Sequence, residues 1–201
     1  MSAPQDDHED DLAPTTTAGY KVGQNKTVDE YAQLDANDES LNRWKASLGI
    51  NAAGAPGASG PSEISILSLF LESDSLPAGK KVSLDLKNTA AIEETKKNPV
   101  IIKEGVEYNV GITFIIIGAV VSGLRYIHIV KRAGLKVDKL EHMIGSYGPK
   151  EEPYTVRFMT EESPSGLIAR SGTYEVKSRV YDDDKNLHAD FTWYFKLAKE
   201  W

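Results

Sequence analysis

Three consecutive aspartates are the first candidates for chemistry in this chain of 201 residues. Asp182, Asp183 and Asp184 follow an apolar-alternating stretch and precede Lys185. Clustered carboxylates on the loops of a β-sandwich can bind Ca²⁺. Successive side chains leave an extended strand on opposite faces, however, so three adjacent acids cannot all point at one ion. We therefore predict a solvated turn at Asp182 and Asp183, with one or two of the three acids contacting another protein.

The histidines form no recognisable catalytic arrangement. They are His8, His128, His142 and His188. His128 lies on the strand face opposite Ile127 and Ile129, which predicts an exposed strand residue. No nucleophile elbow, zinc-protease, phosphate-loop or dinucleotide motif occurs. The chain has no cysteine, which removes thiolate chemistry and fits a reducing compartment. The sequence predicts a protein that is not an enzyme and binds neither metal nor cofactor.

Large side chains alternate along the end of the chain and indicate a half-buried strand. Phe191, Trp193, Phe195 and Leu197 occupy every second position, so they share one face. Similar strands follow one another with Gly and Pro turns between them and no alternating helices. They lie near residues 64–71, 82–87, 100–103, 106–117, 124–131, 136–144, 154–160, 173–181 and 190–199, with one helical turn near 90–97. This pattern predicts an all-β fold, an antiparallel β-sandwich of immunoglobulin type.

The acidic charge is concentrated before this sandwich. Residues 1–62 carry ten acids and four bases, whereas residues 63–201 are close to neutral. The net charge of the whole chain is −7. An acidic segment on a near-neutral body argues against nucleic acid and favours a basic protein partner. No run of 18 apolar residues occurs, and the start of the chain does not resemble a secretory signal. We therefore expect a cytoplasmic protein.

Residues 1–62 are predicted to form a flexible regulatory arm with two short helices. Residues 1–19 have a composition typical of disorder. Helices are predicted at about 27–35 and 38–48, and a Gly/Ala/Pro/Ser linker covers 49–62. Helices this short are marginal in water, and Trp44 lies on an apolar face of the second. We expect the pair to fold on a partner; permanent docking on the chain's own sandwich is the alternative.

Several short motifs resemble those of the Rho GDP-dissociation inhibitors. They are LDANDESL at 34–41, KEGVEY at 103–108, VSG at 121–123, IGSYGP at 144–149, Ala-Arg at 169–170, KSRVYDDDK at 177–185 and Lys-Glu-Trp at 199–201. The motifs are spread in order from about residue 20 to the end. KEGVEY, GSYGP and the DDDK segment together are far more specific than any one of them alone.

The resemblance implies a sandwich that holds the geranylgeranyl tail of a GDP-bound Rho-type GTPase between its sheets. Such a protein extracts its client from membranes and slows GDP release, with no stable membrane insertion of its own. The implied GTPase-binding residues are Tyr20, Asp38, Ser40 and Asp184. The implied prenyl-binding residues are Leu69, Val100, Tyr108, Val120, Val176 and Trp193. We expect a monomer that forms a one-to-one heterodimer with its client.

The sequence leaves two other functions open. The chain also departs from the family pattern at two places. The chain could be a general prenyl-protein carrier without GTPase selectivity, or a calcium-dependent membrane-binding sandwich. Val100 stands where the family has a larger aromatic residue. The run FIIIGAV at 114–120 is unusually apolar. That run would enlarge the slot, create a self-associating edge or bury more core.

Overall fold

The computed structural model describes residues 12–15, 28–47 and 63–201, and its last range forms nine strands. The strands are β1 (Glu63–Glu72), β2 (Val82–Asp85), β3 (Val100–Lys103), β4 (Glu107–Ile117), β5 (Val121–Arg132), β6 (Leu135–Tyr147), β7 (Tyr154–Glu162), β8 (Tyr174–Tyr181) and β9 (Leu187–Ala198). The helices are α1 (Val28–Gln33), α2 (Glu39–Ser47), α3 (Thr89–Glu94) and α4 (Leu167–Arg170).

The strands form two sheets, which confirms the predicted sandwich. One sheet has the order β2-β1-β4-β7 and the other the order β3-β9-β8-β5-β6. Most neighbours are antiparallel, but β3 runs parallel to β9, with Val100 opposite Phe195. Neither this parallel edge nor α4 was predicted. A short edge strand shows little alternation, so its direction depends on which strand it meets in the folded sheet.

The apolar run at 114–120 mainly supplies core. Phe114 and Ile116 are fully buried between the sheets, whereas Ile117 is half exposed. Their strand, β4, is hydrogen-bonded to β1 on one side and β7 on the other. Phe114 therefore lies between two paired strands, whereas the pairing with β7 stops at this residue, so a self-associating edge at the rest of the run stays a hypothesis.

The two arm helices pack on each other and leave an apolar face uncovered. Asp38 caps α2, because its Oδ1 accepts hydrogen bonds from the backbone N–H groups of Ser40 at 2.8 Å and Leu41 at 3.1 Å. Lys45 is buried and donates to the carbonyl oxygen of Leu34. Trp44 is 53% exposed. The exposed indole fits the prediction that the pair needs a partner, which stays a prediction.

A short N-terminal segment has a defined place on the sandwich. Leu12 is 1% exposed and packs on Ile127 and Ile129, which belong to the outer face of the five-stranded sheet. The prediction of disorder through residue 19 is therefore wrong for residues 12–15. The other residues of that stretch and the predicted linker at 49–62 lie outside the described residues.

Candidate lipid-binding cavity

A cavity of about 590 Å³ opens between the sheets, near the start of β4 and the end of β9. Its apolar lining includes Ile102, Tyr108, Val110, Val130, Tyr174, Val176, Trp193 and Phe195. Pairs such as Trp193 and Phe195 are two positions apart, so the alternation of the strand directs both inward. The volume lies within the range of small-molecule sites, roughly 300–1,000 Å³. The walls suit a hydrocarbon ligand.

Polar groups surround the mouth of this cavity. They include Arg132, Asp138, Glu161, Glu162 and Ser165. The Tyr108 hydroxyl donates to Glu161 Oε2 at 2.9 Å. Burial raises the pKa of Tyr108, and the Glu161 carboxylate raises it further, so the phenol remains a neutral donor. Burial also raises the pKa of Glu161, although the Tyr108 hydrogen bond opposes that shift. The site therefore suits an amphipathic ligand whose polar end stays at the mouth.

Helix α4 is fixed beside the mouth by two motifs from distant parts of the chain. Glu104, in KEGVEY, forms an ion pair with Arg170 and accepts a hydrogen bond from Gly166 N at 2.8 Å. Arg132 donates to the carbonyl oxygen of Ile168 on the same helix. These contacts hold Ile168 and the neighbouring Ala169 against the cavity. The KEGVEY motif and the Ala-Arg motif at 169–170 thus form part of the entrance to the cavity.

His128 faces this cavity, which corrects the prediction of an exposed side chain. It is 5% exposed, and its Nδ1 lies 3.3 Å from the Tyr126 hydroxyl, which is 2.8 Å from Ser178 Oγ. No residue that the structure describes forms a hydrogen bond with His128 Nε2. Burial lowers the pKa of His128 to about 4, so the imidazole is neutral near pH 7. The prediction failed because both faces of β5 are covered.

Buried His128 predicts an acid-sensitive fold. Its pKa is about 4 when folded and 6.5 ordinarily. Between those values the unfolded chain binds more protons, so the free energy of unfolding falls as pH falls. At about 1.4 kcal/mol per unit, His128 contributes a loss of roughly 2 kcal/mol between pH 6.5 and pH 5. Urea unfolding at pH 7 and pH 5 measures this loss, which His128→Gln should remove.

His142→Gln is the matched control for the acid sensitivity. Burial lowers the pKa of His142 as well, but its ring lies against Phe158 and is less enclosed. The control variant should keep most of the wild-type loss at pH 5. An equal loss in wild type and His128→Gln would show that the buried imidazole is not its source.

The acidic hairpin between β8 and β9 is not the solvated turn that the sequence predicted. Asp182 is buried, and its carboxylate accepts hydrogen bonds from Asn186 N and Nδ2, both at 2.9 Å. His188 Nε2 lies 2.8 Å from Asp182 Oδ2. The Asp182 carboxylate is thus occupied by protein groups, which argues against its use as a calcium ligand. Within residues 12–15, 28–47 and 63–201, no group of acids and histidines is arranged to hold a metal ion.

Asp183 ties the same hairpin to β5. Its Oδ1 lies 3.1 Å from Arg125 Nη2, and its backbone N–H donates to the carbonyl oxygen of Ser122 at 3.0 Å. Gly123 has a φ of +59°, and a Cβ there would fall 2.0 Å from Asp183 Cγ. The VSG motif therefore leaves room for this carboxylate. Asp184 is exposed at the hairpin tip.

Comparison with known families decides the identity of the chain. The family model for the RHO protein GDP dissociation inhibitor matches residues 4–200. The chain belongs to the Rho GDP-dissociation inhibitor family. Members of this family are regulatory inhibitors and carriers, so the prediction that the chain is not an enzyme is confirmed. No helix in the described ranges is long and apolar enough to cross a membrane.

Relatives from yeasts and human cover nearly the whole chain. The Rho GDP-dissociation inhibitor of Schizosaccharomyces pombe is 42% identical over 180 residues, covering 90% of this chain and 86% of the relative. Rho GDP-dissociation inhibitor 1 of Homo sapiens is 37% identical, with 92% and 88% covered. The Saccharomyces cerevisiae inhibitor is 37% identical, with 90% and 91% covered.

In this Rho GDP-dissociation inhibitor, three of the six prenyl-binding residues expected from the sequence line the main cavity. They are Tyr108, Val176 and Trp193. Leu69 and Val100 instead line a separate crevice of about 20 Å³, whose wall also includes Trp193. Val120 lies between β4 and β5 and lines neither cavity. The structure thus gathers four of the six around the fifth, Trp193, and leaves Val120 apart.

Other lining residues of the inhibitor were missed although their strands were predicted. Val110, Val130 and Phe195 face the same cavity as residues two positions away in β4, β5 and β9. Period-two alternation is the signal that finds them. Ala169 has no such signal, because it belongs to the four-residue helix α4.

The GTPase-binding residues expected of the inhibitor lie in two places. Asp38 and Ser40 begin α2, whereas Asp184 is at the tip of the β8–β9 hairpin. Tyr20 lies outside the described residues. Tyr147 of the IGSYGP motif packs edge-on against Phe114 with ring centroids 5.2 Å apart, which gives it a structural role.

Proposed function

We propose that this chain binds the geranylgeranyl tail of GDP-bound Rho-family GTPases in the cavity lined by Trp193 and Val176. It would thereby extract its clients from membranes into the cytoplasm and slow their release of GDP. The observation that supports this most directly is the apolar volume of about 590 Å³ between the sheets of a Rho GDP-dissociation inhibitor family member.

Burial of hydrocarbon gives the proposed exchange its driving force. A prenyl chain contributes roughly 0.8 kcal/mol for each methylene removed from water. A bilayer offers a similar gain, so the cavity must compete by enclosing the chain among side chains. The polar mouth, with Arg132 and Glu161, would hold the backbone next to the modified cysteine. The lipid would then enter tail first.

The arm would supply the second contact with the client. The α1–α2 pair exposes Trp44 and presents Asp38 and Ser40 at the start of α2. A helical pair on the chain that also holds the lipid acts at high effective concentration. We propose that residues 1–62 form this regulatory arm and residues 63–201 the prenyl-binding domain. Tyr20 and Asp184 complete the proposed GTPase contacts by resemblance.

Capture of a Rho-family GTPase with defined lipid and nucleotide tests this function. The four forms are prenylated or unprenylated GTPase, each loaded with GDP or GTP. We expect the prenylated GDP form to be retained most strongly at equal concentrations. Equal retention of farnesylated and geranylgeranylated peptides, unchanged by removal of residues 1–62, would favour a general prenyl carrier. Equal capture of prenylated and unprenylated GTPase would overturn the cavity assignment.

A further inference from the structure

The outer face of the five-stranded sheet carries an apolar site that is separate from the lipid cavity. Ile127 and Ile129 point away from the sandwich interior, yet they are 0% and 1% exposed. Leu12 covers them, and Tyr181 packs beside the group. An outer sheet face normally meets water, so near-complete burial of two isoleucines there identifies a specific contact.

Hydrogen bonds fix the chain on one side of this contact. Glu141 Oε1 accepts from Thr15 Oγ1 at 2.8 Å and from Thr15 N at 3.1 Å. Arg125 Nη1 donates to the carbonyl oxygen of Thr15 and lies 3.3 Å from Glu141 Oε1. The other end of the Arg125 guanidinium meets Asp183 of the β8–β9 hairpin. Backbone and side chain of Thr15 are thus both recognised.

Charge on this face complements the sequence that precedes Leu12. Ile129 is flanked across the sheet by lysines on both neighbouring strands, and a third lysine follows it along β5. They are Lys139, Lys177 and Lys131. Glu175 also lies at this end and accepts a hydrogen bond from the Tyr194 hydroxyl at 3.0 Å. The acids that precede Leu12 in the sequence are Asp6, Asp7, Glu9, Asp10 and Asp11.

We propose that this face is a binding site for an acidic, leucine-bearing peptide, and that its occupant is the N-terminal segment of the same chain. We name residues 12–15 the anchor. Leu12 supplies the apolar contact, Thr15 fixes the position of the chain along the strand, and the acidic sequence before Leu12 is opposite in charge to the lysines of this face. The site takes a chain segment, whereas the cavity between the sheets takes a lipid.

The anchor changes how the arm is attached to the sandwich. With the anchor in place, residues 16–62 are held at both ends, by Thr15 and by the start of β1. Without it, the arm is attached only at β1 and its ends can separate widely. Closing a chain segment into a loop reduces its conformational freedom. The anchor therefore gives the arm a second point of attachment to the sandwich, which limits how far the arm can move from it.

Spin labelling of the full chain tests the anchor without any GTPase, so its failure is separate from failure of the proposed function. The chain has no cysteine, and Ala13 is exposed beside Leu12, so Ala13→Cys accepts a single nitroxide. The label should broaden the NMR signals of Ile127, Ile129 and Glu141. In the same labelled chain, Leu12→Ser should lower the ratio of anchored to released segment roughly tenfold or more, so the broadening of those signals should decrease.

Two controls make this experiment decisive. Leu12→Met keeps the apolar volume and should retain the broadening. Leu167→Ser replaces an exposed leucine on α4, outside the apolar group that Leu12 covers, and should also retain it. Broadening that persists undiminished in Leu12→Ser, or is absent from the parent, would overturn the anchor. Broadening between labelled and isotope-enriched copies of the chain would overturn its assignment to the same chain.

Discussion

The Trp193→Ala variant is expected to lose binding of a geranylgeranylated GTPase peptide and extraction of the client from vesicles. Trp193 is buried in the wall shared by the main cavity and the smaller crevice. Its removal takes away a large contact surface and joins two apolar spaces. The free energy of unfolding should fall by about 3–5 kcal/mol, which is the usual cost of removing a buried tryptophan. Fluorescence titration with the lipidated peptide and vesicle sedimentation measure the two losses.

Filling the cavity separates loss of the lipid site from loss of the fold. Val176→Phe puts a ring into the main cavity, whereas Val100→Phe puts one into the crevice of about 20 Å³. If the lipid occupies the main cavity, Val176→Phe weakens peptide binding by roughly tenfold or more, equivalent to about 1.4 kcal/mol. Val100→Phe should leave it nearly unchanged.

The fill variants remain informative if Trp193→Ala unfolds, because each adds apolar volume instead of removing it. Thermal unfolding of each variant reports whether the sandwich is intact. A folded Val176→Phe protein that binds the lipidated peptide normally would contradict the assignment of the main cavity. Selective loss in Val100→Phe would move the site to the crevice beside Leu69.

Replacement of Asp38 by Ala should weaken inhibition of GDP release about tenfold while leaving prenyl-peptide binding nearly intact. The structure shows one role of this carboxylate, and we propose a second one at the GTPase. Its Oδ1 caps α2 through Ser40 N and Leu41 N, a contribution worth about 1 kcal/mol. We propose that its second oxygen accepts a hydrogen bond from the GTPase, worth roughly 1.5–3 kcal/mol for a charged acceptor.

Asp38→Asn separates the two roles, because asparagine caps helices as well as aspartate does. The Asn variant should retain the helix but lose charge and one acceptor, so it should still inhibit several-fold less well than wild type. Glu39→Gln, one residue along and also exposed, is the matched control and should inhibit normally. The release of a fluorescent GDP analogue from prenylated GTPase measures all three variants. Full inhibition by Asp38→Asn would mean that Asp38 acts only as a cap.

Local sequence patterns determined the strands and most of the helices of this protein, although not α4. Alternation along Phe191, Trp193 and Phe195 located β9 and its inward face, because side chains of a strand leave it on alternate sides. Asp38 or Asn37 marked the start of α2, because a capping side chain bonds the backbone N–H groups that directly follow it, and the structure places the cap at Asp38. Such signals act between residues close together in the chain, so one sequence is enough to detect them. The family motifs then identified the Rho GDP-dissociation inhibitor family.

Contacts between distant residues decided the rest. Whether an inward face encloses a cavity depends on how two sheets pack, so Tyr108 and Val176 share the main cavity whereas Leu69 and Val100 do not. His128 was assigned to the wrong environment because Leu12 covers the opposite face of β5, more than a hundred positions away in the sequence. Alternation distinguishes two faces only when one of them meets water. Here both are buried, and only the folded chain shows which face borders the main cavity.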